Sequence, residues 1–63
     1  MTKREQKKLD LLRARAEGAS YREVAEQFGY QSHGMARQAV HLAKKYVRAR
    51  YPSLMPLELK DAL

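Results

Sequence analysis

Between residues 33 and 48 the chain carries a run of hydrogen-bond donors with no acid among them: His33, Arg37, Gln38, His41, Lys44, Lys45 and Arg48. On a helical wheel at about 100° per residue, these side chains and Gly34 share one arc. Such an arc holds no carboxylate to act as a base or to complete a metal site. It suits a polyanion instead. Arg can grip guanine O6 and N7 with two hydrogen bonds, and Gln can do the same for adenine. Arg37 and Gln38 sit in the first turns, where base edges would be read. Lys44, Lys45 and Arg48 lie further along and are placed to neutralise phosphates. The small residues Gly34 and Ala36 would let the helix approach closely.

The opposite side of this segment is apolar. Ala36, Val40, Ala43 and Val47 recur at i, i+4, i+7 and i+11. Ala39, Tyr46, Met35, Leu42 and Ala49 are expected to widen that side. A helix with one buried face and one face of donors needs partners to bury against, and the rest of the chain supplies two. Thr2-Lys3-Arg4-Glu5 has the form of a capping box, with Thr at the cap and Glu three residues on. Leu9, Leu12 and Ala16 follow as one stripe, and Gly18 reads as a helix stop. Helix 1 is therefore predicted over about 3–17. Ser20-Tyr21-Arg22-Glu23 is a second capping box, followed by Val24, Ala25 and Phe28. Gly29 ends this element, so helix 2 is predicted over about 21–28. Gly29-Tyr30-Gln31-Ser32 reads as a tight turn, with Ser32 capping a third helix that runs to about Arg50. Pro52 disfavours helix at Tyr51. The expected class is all-α: three helices in a helix-turn-helix arrangement over 1–51.

Residues 52–63 form an apolar tail. Leu54, Met55, Leu57, Leu59 and Leu63 put five large apolar residues into the last ten positions. Ser53 could cap a short fourth helix with Pro56 in its first turn. That helix could pack on helices 1 and 3, or the segment could pair with a second chain in a weak or DNA-driven homodimer.

Composition narrows the function. Sixty-three residues make one domain, and a domain this small buries only about 60% of its unfolded surface, which leaves no room for a cleft backed by a second layer. There is no cysteine, so no disulfide or thiolate metal site exists, and a reducing cytoplasm fits. No apolar run nears the roughly 20 residues of a membrane span, and the charged start leads into no signal core. Thirteen Lys and Arg against seven Asp and Glu give +6. Residues 1–26 carry a net +2, residues 27–57 a net +5 without one acid, and residues 58–63 a net −1. A basic, acid-free segment makes the local field that nucleic acid seeks.

Other chemistry is weaker. His33 and His41 lack a nearby carboxylate, so a groove or surface role is expected and a metal is not. The acids sit in helices 1 and 2 and the tail, too scattered for a catalytic set. No Gly-rich phosphate loop is present, and neither an enzyme, a cofactor nor a small-molecule substrate is expected. Tyr21, with Arg22 beside it, could touch phosphate at the start of helix 2. Lys3, Arg4, Lys7 and Lys8 could form an arm on DNA or a solvated helix face.

The stretch Ala16-Glu17-Gly18-Ala19-Ser20-Tyr21-Arg22-Glu23-Val24-Ala25-Glu26-Gln27-Phe28-Gly29-Tyr30-Gln31-Ser32 resembles the homeodomain-like helix-turn-helix proteins of actinobacteria and their phages. More distantly it is similar to region 4 of sigma factors and to response-regulator DNA-binding domains. The likeness covers about residues 8–47. His33 and Gly34 stand where that family usually has Pro and Ser. The resemblance implies a small protein that binds double-stranded DNA through helix 3, as a transcriptional regulator or a phage DNA-recognition factor. The donor arc, its cap and the start of helix 2 together give the expected DNA-binding site: Ser32, His33, Gly34, Arg37, Gln38, His41, Lys44, Lys45 and Arg48, with Tyr21 and Arg22. The alternative is a protein-interaction module whose basic face and apolar tail dock on a partner.

Overall fold

A computed structural model describes residues 2–56. They form three α-helices, α1 Lys3–Ala16, α2 Tyr21–Phe28 and α3 His33–Arg50, followed by a 3-10 turn at Pro52–Leu54. No strand occurs among the described residues. The all-α, three-helix class expected from the periodicity is the one observed.

Each helix starts where its cap says it should. The Glu5 N–H donates to Thr2 Oγ1 at 3.2 Å, and Glu5 Oε1 accepts from the Thr2 N–H at 3.0 Å. Ser20 and Glu23 repeat the exchange at 3.1 and 2.9 Å. Ser32 Oγ accepts from the Met35 N–H at 3.2 Å. These bonds satisfy donors that the first turn of a helix leaves open. α1 ends at Ala16, one residue earlier than expected, with Glu17 as its cap.

The core is a wedge. α3 contributes Ala36, Val40, Ala43 and Val47, none more than 1% exposed. α1 packs on it with Leu9, Leu11, Leu12 and Ala14, and α2 with Val24 and Ala25. The sequence stripe of α1 missed Leu11 and Ala14 and included Ala16, which is only half-buried. The cause is geometric: α1 faces both other helices, so its buried arc is wider than a single stripe. α3 departs in the other direction. Ala39 and Tyr46 are half-buried, but Met35, Leu42 and Ala49 are exposed. Two neighbours cover one side of a helix and leave the arc beyond Ala39 to solvent. Phe28 sits half-buried at the edge of the core.

The end of α3 differs from expectation too. Tyr51 leaves the helical region at φ −134°, and a 3-10 turn begins at Pro52 instead of a helix capped by Ser53. Proline opens the turn well because its φ is preset. Met55 then returns to the core at 5% exposure, while Leu54 stays exposed. The remaining tail residues, Leu57, Leu59 and Leu63 among them, lie outside the described residues, and with them the expected fourth helix.

Glu5 ties the start of α1 to the end of α3. Its Oε2 accepts from the Tyr46 hydroxyl at 2.6 Å and from the Tyr51 hydroxyl at 2.9 Å, and Arg50 Nε lies 3.8 Å away. The bond from the Thr2 N–H, followed by those two phenols, lowers the Glu5 pKa from 4.5 to about 2. The same bond to Glu5 raises the Tyr46 hydroxyl above its ordinary value.

This packing can be tested at two points. A carboxyl whose pKa is lower in the folded chain stabilises it fully above the ordinary value and loses that contribution as pH falls from 4.5 toward about 2. Thermal melts across that range should show Glu5→Gln with a shallower fall in Tm than the parent. Equal slopes would remove Glu5 from the acid response. Separately, Ala25→Leu overfills the buried packing between α2 and the core, and should cost about 1–3 kcal/mol in urea unfolding. An unchanged midpoint would mean the helices do not close on Ala25.

Candidate nucleic-acid interface

The exposed face of α3 is built by its own length and by the turn before it. Gly29 closes α2 in the left-handed conformation, φ 79° and ψ 25°. Tyr30 N–H donates back to the Ala25 carbonyl at 2.8 Å. The chain then reverses within a few residues, and Ser32 starts α3. Because Ala36, Val40, Ala43 and Val47 point into the core, His33, Gly34, Arg37, Gln38, His41, Lys45 and Arg48 are left exposed, with Lys44 half-buried.

The expected site residues divide into three groups. Gly34, Arg37, Gln38, His41 and Lys44 line one shallow groove together with Tyr21. This brings the start of α2 against the first half of α3. Arg22, Ser32 and His33 line a different depression at the turn, where Glu26 adds an acid. Ser32 uses its hydroxyl oxygen to cap α3, so its first role is structural. Lys45 and Arg48 stand exposed outside both depressions.

Tyr21 owes its place to a residue that the sequence pattern did not single out. The Arg15 guanidinium lies 4.3 Å from the Tyr21 ring centroid, and Arg15 also donates to the Ala19 carbonyl. Arg15 is thereby anchored by the α1–α2 connection and backs the tyrosine against it. A cation over a ring face is attracted by the ring quadrupole. Nothing in the spacing of Arg15 and Tyr21 marks the pair, since they meet across a turn and not along one helix.

The electrostatics follow from what is already paired. α3 has no acid in its first turn and carries Arg48 and Arg50 in its last. Arg50 turns to Glu5, which takes one charge out of the basic segment. Glu23 is bound into its capping box, and its pKa is lowered by the bond from the Ser20 N–H. The basic start of the chain is a helix face and not a free arm, because α1 begins at Lys3. Lys7 lies over the Tyr30 ring at 5.0 Å and Lys8 over Tyr46 at 4.9 Å. No trio of His, Cys, Asp or Glu able to hold a metal occurs among the described residues. No described helix is long and apolar enough to cross a membrane.

The turn can be tested without touching the face. A Cβ at Gly29 would meet nothing within 4 Å, so Gly29→Ala costs only what its left-handed backbone demands, about 1–2 kcal/mol. Chemical denaturation should read that loss, and a neutral result would mean the turn relaxes to another conformation. No protein family, curated protein or solved structure matches this chain, so its function rests on its own residues.

Proposed function

We propose that this chain is a helix-turn-helix protein that binds double-stranded DNA by laying α3 in the major groove, as a transcriptional regulator or a phage DNA-recognition factor. One observation carries the reading: an 18-residue helix exposes Arg37, Gln38, His41, Lys45 and Arg48 on a face without an acid. A helix of that length runs about 27 Å, and the major groove, about 12 Å wide, admits it. The likeness of residues 16–32 to homeodomain-like helix-turn-helix proteins supports the same conclusion. In this reading Arg37 and Gln38 meet base edges, while Lys44, Lys45 and Arg48 meet phosphates. Tyr21 forms the wall on the α2 side.

A single helix in one groove gives modest specificity. Two chains on a palindromic site would set their α3 helices about 34 Å apart, one turn of DNA. We expect any such dimer to be weak in solution and completed on DNA. A second reading is a protein-interaction module that meets an acidic partner. It is favoured by the exposed side chains of Met35, Leu42 and Leu54, at 47%, 54% and 46%.

Selection of duplexes from a random pool provides the site on which both readings are tested. Arg37→Ala and Gln38→Ala should each lose about 1–3 kcal/mol on the selected site and little on a scrambled one. The Lys44, Lys45 and Arg48 triple Ala variant should weaken binding to both alike. For every phosphate that the variant no longer neutralises, the slope of log K against log salt should flatten by about 0.9. If the pool yields no enrichment and the triple variant keeps the parent slope, DNA is not the partner and the second reading stands.

A further inference from the structure

A second groove lies between α1 and α3, and it shares no residue with the donor groove. Leu11, Ala39 and Leu42 make its apolar floor, and Arg4, Lys7 and Lys8 its rim. Lys7 Nζ lies 5.0 Å from the Tyr30 ring centroid and Lys8 Nζ 4.9 Å from that of Tyr46. The acids of α1 are turned elsewhere. Glu5 accepts from Tyr46 and Tyr51, while Asp10 accepts from Gln6 and lines a different depression. Among the described residues no carboxylate pairs with Arg4, Lys7 or Lys8.

The floor continues along α3. Met35, Ala39 and Leu42 recur at i, i+4 and i+7, one stripe over about two turns. Two of the three large apolar side chains exposed among the described residues, Met35 and Leu42, lie on it. An apolar groove between two helices suits a third, amphipathic one, which anchors through positions spaced i, i+3, i+4 and i+7. We propose that this flank docks an amphipathic helix of a partner protein, with leucines toward Leu11, Ala39 and Leu42 and carboxylates toward Arg4, Lys7 and Lys8.

Other occupants fit less well. Phosphates of a nucleic acid would suit the rim, but the floor is aliphatic. The Tyr30 and Tyr46 faces that could stack a base each already hold a lysine. A second copy would bring a chain of net charge +6 onto a cationic rim, and like charges across an interface are costly. Docking on this flank leaves the Arg37, Gln38 and Lys44 groove open, so the inference stands whether or not the DNA reading does.

The test titrates the isotope-labelled full chain with a synthetic helical peptide, leucine on one face and glutamate along its edges. Amide shifts should be confined to the flank, at Arg4, Lys7, Leu11, Ala39 and Leu42. Replacing the peptide's leucines with serine, or its glutamates with lysine, should weaken binding by about tenfold or more. Leu42→Glu, at an exposed position, should do the same with the helical circular dichroism unchanged. Arg4→Glu combined with Lys7→Glu should reverse the preference, so that the lysine peptide binds better than the glutamate one. No binding, or binding indifferent to the peptide's leucines, would overturn the proposal. Duplex DNA that displaces the peptide and shifts these same amides would overturn it in favour of nucleic acid. Without peptide, flank shifts that grow with protein concentration would overturn it in favour of a second copy. Flank shifts caused by Ser at positions 57, 59 and 63 would overturn it in favour of the chain's own end.

Discussion

The stripe Ala36, Val40, Ala43 and Val47 is the constraint from which the rest of this structure follows. All four side chains are essentially closed to solvent, and both α1 and α2 pack on α3. Two of the four are alanine, which keeps the packed helices close and the buried volume small. A chain of this length has few large apolar residues, and close packing of small ones recovers density that a looser arrangement would lose. The same stripe sets the exposed face. Burying one side of α3 against two helices turns Arg37, Gln38, His41, Lys45 and Arg48 outward together. No separate device is needed to present them.

Glu5 closes the structure at the end where the wedge would otherwise open. One carboxylate caps α1, accepts from two tyrosines that lie 41 and 46 residues away in sequence, and faces Arg50. Cap, crossing and the end of α3 are thereby joined in one charge-assisted network, whose bonds are stronger than neutral ones. The network also disposes of a cation. With Arg50 held against Glu5, the basic field of α3 is carried by the residues before it, which are those turned to solvent.

Aromatic rings do related work elsewhere. Tyr21, Tyr30 and Tyr46 each lie under a cation from α1, Arg15, Lys7 and Lys8 respectively. Each pair joins α1 to a different part of the chain: the start of α2, the turn before α3 and the second half of α3. A small domain with a thin core gains order this way, because an amphipathic ring can pack on its body and hold a charge on its face. The consequence for the surface is that three cations of α1 rest on tyrosine faces, Lys8 and Arg15 half-buried and Lys7 exposed.

Local chemistry made the helices legible in the sequence. Two capping boxes, a capping serine, Gly29 and Pro52 punctuate the chain, and each acts through bonds or backbone limits within a few residues. The buried stripe of α3 was legible because period 3.6 is intrinsic to a helix. The donor face followed by subtraction. The width of each buried face was not legible, since it depends on how many neighbours a helix has. Leu11 and Ala14 are buried because α1 meets two helices, and Met35, Leu42 and Ala49 are exposed because α3 meets them on one side only. Nor could spacing reveal that Glu5 would find Tyr46, Tyr51 and Arg50, or that Arg15 would back Tyr21. The sequence by itself determined where helices begin and end and which face of α3 carries donors, because those are local or periodic properties. Only the tertiary structure decided which charges are paired off and which remain exposed, because that depends on residues far apart in the chain meeting in space.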